Sequence, residues 1–483
     1  MTNIIDYDSR DMRAIFQRIH DAMSTSQREA VGVFRQSQAM LLAAWMGLGK
    51  TLVSLTCMLT LKPTRVLIIC NKNAVATWEN EFRKWYPELY SPEQFKFVDG
   101  DAYDRQSLWR TRAQFHICLP QIIQRDYEFL VQNKLDYFDF IIIDEAHKLG
   151  LRNRKTKTFQ IVKWIREHAK GIIINTGTPT RKGPPQLWGY LHILARRKFT
   201  SYWTFINKYC IIHKGIFGQE VIGVQNTEQL KEEIKPYIYV VDEKKASLEL
   251  PPLRRILLPA EFDVQTAKLY RSMADSLYME LDDRIEFSLS VMASYIKLRQ
   301  LICCPQIIDP FLSVGCAISS ICEKIQENED YEGYKHNIIA TPFIPSIEPF
   351  KKYMASTLKM APSDIMVLKG GDDPTHVNKV EEIFRKNKET AVICSVMFSQ
   401  SFNLETALSV YFAHFDWDVD NNKQTESRAR RKSSDMNRTL MSYYVDVKGT
   451  ITKDMFAIID SNLAINNMTY KHFSTIKESL KNP

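Results

Sequence analysis

Residues 138–144 read Phe-Asp-Phe-Ile-Ile-Ile-Asp. A run this apolar suits a strand buried on both faces, the condition of a central strand in a parallel sheet. Comparable β-branched runs recur at 65–70, 115–119 and 171–176, separated by stretches with helical spacing. Strands that alternate with helices imply a parallel sheet covered by helices on both faces. The alternation returns after His336, with strands expected at 337–340, 365–368, 390–395 and 408–413. Between the two regions Asp242-Glu-Lys-Lys-Ala-Ser is polar, and Pro251-Pro252 cannot continue a helix. The chain of 483 residues is also too long for one ordinary core. The expected fold is therefore α/β, with two mostly parallel sheets in units spanning 1–245 and 246–483. A basic helical insertion is expected at about 180–235 in the first unit. A second helical insertion, at about 262–330, and a C-terminal helical tail are expected in the other unit.

Composition narrows the class. Hydrophobic residues make up 45% and charged residues 25%, the balance of a folded soluble domain rather than a disordered chain. The apolar runs are strand-length and fall short of the ~20 residues of a membrane span, so no membrane association is expected. The N-terminal segment carries Asp6, Asp8 and Asp11 and no apolar signal region. Nine cysteines without regular spacing do not make a disulfide framework. Cys303, Cys304, Cys316 and Cys322 match no paired metal-ligand spacing and are expected to be buried thiols. An intracellular, reducing location follows.

Charge is concentrated. The chain is +8 overall, yet residues 148–214 hold fifteen Lys or Arg and one acid, Glu167. A stretch this basic is the footprint of a polyanion partner such as nucleic acid. Within it, Lys148, Arg152, Arg154, Lys155 and Lys157 form a dense cluster in a loop-like stretch. They are the expected phosphate contacts, independent of base sequence.

Two motifs carry chemistry. Ala44-Trp-Met-Gly47-Leu48-Gly49-Lys50-Thr51 reads as a phosphate loop in which Ala44 replaces the usual first glycine. Gly47 and Gly49, flanking Leu48, let backbone N–H groups face a phosphate, and the following helix adds its positive end. Lys50 reaches the β- and γ-phosphates, and Thr51 is placed to ligate Mg²⁺. Asp144-Glu145-Ala146-His147 follows the apolar run, at the sheet edge where ligands bind in such folds. Asp144 is the second expected metal residue. Glu145 is the expected group that orients and deprotonates water.

With these motifs in order, the chain resembles a Swi/Snf-type ATPase of helicase superfamily two. Further segments carry the resemblance: Thr77-Trp78-Glu79-Asn80-Glu81 with Trp85 and Pro87, and Thr176-Gly-Thr-Pro179 followed by Leu187-Trp188. Leu298-Arg-Gln-Leu301 with Pro305 resembles a lobe-two signature of that family. Asn403-Leu404, Trp417, Gln424, Arg428 and Arg431 match its closing pattern, and Gly449-Thr450-Ile451 its exit segment. The Asp-Glu-Ala-His box and the compact length resemble bacterial, phage or viral members. The resemblance implies two RecA-like lobes with helical insertions, ATP and Mg²⁺ as cofactors, and double-stranded DNA bound without sequence specificity. It implies that Gln27 contacts adenine, that Gln424 senses the nucleotide, and that Arg428 and Arg431 compensate γ-phosphate charge. His147, Thr176 and Thr178 would couple hydrolysis to the DNA track. The expected activity is translocation on duplex DNA by a monomer, in a bacterial cytoplasm, an infected cell or a nucleus, alongside replication, repair or transcription proteins. The alternatives are a strand-separating or annealing helicase on branched DNA or RNA, and a binding module with little turnover.

Overall fold

The computed structural model describes residues 4–8, 11–44, 47–177, 179–180, 183–215, 218–241, 245, 247–282, 289–396, 402–416, 418–431, 434–452 and 455–456. They form two compact units, Met1–Glu249 and Leu250–Pro483. Residues 245–249 belong to the first unit because Lys245 and Glu249 bond into it. Lys245 meets Glu29 at 2.5 Å, and the Ser26 hydroxyl donates to Glu249 at 2.7 Å.

The first unit holds β1 (Ala39–Ala44), β2 (Val66–Ile69), β3 (Phe95–Val98), β4 (Phe115–Cys118), β5 (Phe140–Ile143) and β6 (Gly171–Thr176). After these come β7 (Cys210–Gly215), β8 (Gly218–Val224) and β9 (Ile238–Val241). Seven strands make one sheet in the order β3-β4-β2-β5-β6-β1-β9, all parallel. The apolar run at 138–144 supplies β5, which is central and buried along its length. Ile143 lies beside Ile69 on one flank and Ile174 on the other. Burying aliphatic side chains of this kind contributes about 1.5–3 kcal/mol each. The order places the carboxyl ends of β5, β6 and β1 side by side, so the three segments that follow them meet at one edge.

The segment expected to be a helical insertion is only partly helical. It holds helices Pro184–Leu194, Tyr202–Tyr209 and Thr227–Ile234, with the antiparallel hairpin β7–β8 between the second and the third. Ile211, Ile212, Val221, Ile222 and Val224 are β-branched and favour the pleated form, while Gly215, Gly218 and Gly223 weaken a helix.

The second unit holds β10 (Leu253–Ala260), β11 (Asn337–Thr341), β12 (Ile365–Leu368), β13 (Ala391–Ser395), β14 (Ser409–Phe412) and β15 (Leu440–Val447). Their order is β10-β15-β14-β11-β13-β12, again all parallel. Pro259 is tolerated because β10 is an edge strand. Helices Val264–Asp282, Leu289–Cys303 and Cys316–Gln326 occupy the second insertion. Cys303, Cys304 and Cys322 are buried thiols, and Cys303 sits 3.3 Å from the Thr341 hydroxyl. Among the described residues, no helix is long and apolar enough to cross a membrane. The expected tail, together with Met46, Thr178, residues 398–401, Trp417 and residues 432–433, lies outside the described residues.

Candidate nucleotide site

The site is built first from the loop after β1. Gly47 and Gly49 take φ of 82° and 71°, left-handed values that a side chain would strain. A Cβ at Gly49 would also lie 2.6 Å from Gln27 Nε2. Helix Lys50–Leu59 starts at the next residue, so its first N–H groups open onto this turn. Lys50 Nζ donates to the Ala44 carbonyl at 3.2 Å, which folds the lysine back over the loop.

Gln27 does two jobs. Its side chain closes a capping box with Ser24 at the start of helix Thr25–Ser37, an arrangement that contributes about 1 kcal/mol. Its amide also donates to the Leu48 carbonyl at 2.8 Å. The residue expected to touch adenine thus supports the phosphate loop directly. Ser54, one turn into the following helix, bonds Asn175 at 3.0 Å and ties the loop to the end of β6. Neither Ser54 nor Asn175 was singled out from sequence, although Asn175 is the one polar interruption in Gly171-Ile-Ile-Ile-Asn175.

The acidic box follows β5. The Asp144 N–H donates to Ile69 O at 2.9 Å, extending the β2–β5 ladder by one bond. Glu145 then turns the chain with φ of 47°, an unfavourable value for a non-glycine residue that costs on the order of 1 kcal/mol. Burial and the adjacent Glu145 carboxylate push the Asp144 carboxyl up to about 7, against the pull of Lys50 and a hydrogen bond from Trp78. His147 Nδ1 lies 3.1 Å from Thr176 Oγ1 and 3.3 Å from Glu145 Oε2. The box and the start of the Thr176 segment are therefore in direct contact. The Asp144 and Glu145 carboxylates and the Thr51 hydroxyl are the oxygen ligands that suit a hard dication such as Mg²⁺, whereas the helix N-terminus suits a phosphate. The mutual repulsion of Asp144 and Glu145 is what such a cation relieves.

The basic cluster divides in two. Lys148, Lys155 and Lys157 are exposed. Arg154 stacks over Tyr202, 4.7 Å from the ring centre, and the charge of Arg152 acts on the Tyr190 hydroxyl, whose ionisation burial opposes. Thr156 caps helix Lys157–Arg166 through the Phe159 N–H at 3.2 Å. Helix Pro184–Leu194 packs so closely on the cluster that a Cβ at Gly189 would collide with the Leu151 carbonyl.

In the second unit, helix Val419–Ala429 carries Gln424, which is buried, and Arg428. Arg431 follows the helix. The Phe402 carbonyl accepts from Arg428 Nη1 at 3.3 Å and from Arg431 Nη2 at 2.7 Å. Burial pushes the nearby Glu381 carboxyl up, against the Asn403 N–H and the charges of Arg431, Arg385 and Arg428.

Comparison with known proteins places these features in a family. The model of the SNF2-related domain matches residues 26–307. The DNA annealing helicase and endonuclease ZRANB3 of Bos taurus is 22% identical over 450 residues, 90% of this chain and 39% of its own length. The SWI/SNF-related matrix-associated actin-dependent regulator of chromatin subfamily A member 1 of Homo sapiens is 27% identical over 228 residues, 45% of this chain and 20% of its own. The chain spans between 11% and 39% of the length of such relatives. The solved Sulfolobus solfataricus SWI2/SNF2 ATPase core in complex with dsDNA aligns over 95% of both chains at 20% identity. Its TM-score is 0.42, which adds no argument to what the two sheets show.

Proposed function

Because the chain belongs to the SNF2-related family, we propose that it is a DNA-dependent ATPase that moves on duplex DNA. The observation that carries this reading is the meeting of three segments at one sheet edge. Lys50 and Thr51 follow β1, Asp144 and Glu145 follow β5, and Thr176 ends β6 and touches His147. In this reading the N–H groups at Gly47–Lys50 and the Lys50 ammonium bind phosphate oxygens. Thr51 and Asp144 hold Mg²⁺, which neutralises phosphate charge when bound. Glu145 accepts the proton of the attacking water, whose oxygen bonds to the γ-phosphorus as the bridge to ADP breaks. Arg428 and Arg431 compensate charge that develops in the transition state. The contact from Glu145 through His147 to Thr176 is the route by which the phosphate site reports to the DNA-binding surface, and Thr178 belongs to the same segment.

Lys148, Arg152, Arg154, Lys155 and Lys157 supply the charge for sequence-independent binding of the DNA backbone. The Asp144–His147 segment acts as a DEAH box, and a bacterial, phage or viral source belongs to the same reading. The protein works inside the cell as a monomer, with partners drawn from replication, repair or transcription. A second reading, annealing or strand separation on forked DNA, is favoured by the alignment of ZRANB3 over 90% of this chain. Phosphate release with and without blunt duplex DNA tests the first reading, and it fails if DNA does not stimulate turnover. Strand displacement or annealing on forked substrates decides between the two.

A further inference from the structure

The helix that carries Gln424 and Arg428 is fastened from its opposite face. Glu426 is 2% exposed, and its carboxylate accepts from Arg255 Nε at 3.0 Å and Arg255 Nη2 at 2.8 Å. It also accepts from the Ser442 hydroxyl at 2.8 Å and the Tyr444 hydroxyl at 2.9 Å. Burial alone would raise this carboxyl, but Arg255 and the two hydroxyls hold it below its ordinary value. The three partners belong together by register. Arg255 pairs with Ser442 across β10 and β15, and Tyr444 is two residues further along the same face of β15.

At 100° per residue, Gln424 and Arg428 each stand about 160° from Glu426 around the helix axis. Fixing Glu426 to the sheet therefore fixes the direction in which Arg428 points. A second bond secures the end of the helix. Arg430 Nε donates to the Pro251 carbonyl at 2.6 Å, one residue before Arg431. Both anchors, Pro251 and Arg255, lie within six residues of the start of the second unit.

We propose that Glu426 and Arg255 are positioning residues that orient Arg428 and Arg431 for phosphate-charge compensation. The inference rests on the ATPase reading above and deepens it. Breaking the bidentate pair leaves the helix attached through buried Val419 and Ala429, the Asn422 bond to the Asp416 carbonyl and the Leu404 N–H bond to the Arg428 carbonyl, but loosens its rotation, so turnover falls while ATP binding persists.

The test is a double-mutant cycle on the full chain, measuring kcat and KM for ATP with saturating duplex DNA, alongside thermal melting. Glu426→Gln keeps the volume and the hydroxyl bonds while removing the charge. It is expected to lower kcat by about tenfold with KM within about twofold, the coupling expected of contacting groups. In an Arg428→Ala, Arg431→Ala background, measured by single-turnover hydrolysis, it is expected to have no further effect. A tenfold loss in both backgrounds, or none in either, overturns the positioning role. If Glu426→Gln melts below the assay temperature, Arg255→Lys serves in its place, with the same expectations. If the wild-type chain hydrolyses ATP but the double-arginine variant matches it, the assignment of Arg428 and Arg431 fails instead. If the wild type does not hydrolyse ATP, the ATPase reading itself fails.

Discussion

β5 carries an aspartate immediately before it and another immediately after it, and the two ends of the strand treat them in opposite ways. At the amino end, Asp139 is 2% exposed and accepts from the Thr64 N–H and hydroxyl at 2.8 and 2.6 Å. It also accepts from the Arg65 N–H, from the Tyr137 hydroxyl at 3.0 Å and from Lys170 at 3.1 Å. Burial opposes ionisation, but these donors outweigh it and hold the carboxyl at about 2. At the carboxyl end, Asp144 faces another carboxylate and is pushed up to about 7. A buried carboxylate surrounded by donors fastens the strand starts of β2, β5 and β6 together. One left facing a like charge stores unfavourable energy that a cation and a phosphate chain can release.

The largest effects that separate the two ends concern turnover. Lys50→Ala and Glu145→Gln are expected to reduce ATP hydrolysis by about 10³-fold or more while leaving the melting temperature near that of the wild type. Glu145→Gln should still retain labelled ATP on a filter, because the amide keeps its volume but accepts no proton. Near-normal hydrolysis in either variant would remove the carboxyl end from the chemistry. Arg428→Ala and Arg431→Ala should behave as further members of that group, with turnover down about 10³-fold and ATP affinity largely kept. A loss of ATP affinity that matches the loss of rate would make them binding residues instead.

Stability against pH sharpens the contrast. The lowered Asp139 carboxyl stabilises the fold fully above the ordinary aspartate value near 4, and this contribution is lost as pH falls toward 2. Asp139→Asn is therefore expected to destabilise the fold by a few kcal/mol in urea unfolding at pH 7, and by less as pH falls toward 2. The raised Asp144 carboxyl has the opposite sign. Between about 4 and 7 the unfolded chain ionises it while the folded chain resists, so metal-free stability declines through that window and stays lower above it. Asp144→Asn should raise the metal-free melting temperature at pH 8 more than at pH 5. A fall at pH 8 would mean that Asp144 is a structural anchor like Asp139.

The smallest effects belong to the basic loop, where the same distinction between fastened and available charge recurs. Lys155→Ala with Lys157→Ala should flatten the salt dependence of DNA affinity by up to about two, at a slope near 0.9 per contact. Arg154→Ala should change that slope by less than one and instead remove a stacking contact on Tyr202 of about 0.5–1 kcal/mol. Fluorescence anisotropy across a salt series separates them, and equal slopes would show that stacking on Tyr202 leaves Arg154 available to phosphate.

Much of the frame was legible in the chain. Long apolar runs announce buried strands by themselves, and β5, β6 and β12 fall within or on their expected ranges. β1 was missed because Ala39-Met-Leu-Leu-Ala-Ala has the composition of a helix, and only pairing with β6 and β9 makes it a strand. β10 was missed because Pro259 and the pair Arg254-Arg255 interrupt its alternation, which an edge position allows. The glycines and lysine of the phosphate loop and the acidic box were recognisable because their chemistry depends on short spacing. Gln27 was placed by its distance from Lys50, but its bond to Leu48 depends on how helix Thr25–Ser37 lies against the loop.

The amino-acid sequence by itself determined the alternation of strands and helices, the ordered motifs and the concentration of positive charge in residues 148–214. Each of these depends on residues close together in the chain, where propensity and spacing act directly. Only the tertiary structure decided what each charged group does. Asp139 and Asp144 are the same residue type five positions apart, and Arg152, Arg154 and Lys155 are near neighbours. Their partners come from Thr64 and Lys170, from Lys50 and Trp78, and from Tyr190 and Tyr202, brought close by strand order and helix packing. A carboxylate or guanidinium is set by the donors, charges and water around it, and those are fixed by burial and by contacts between segments distant in sequence.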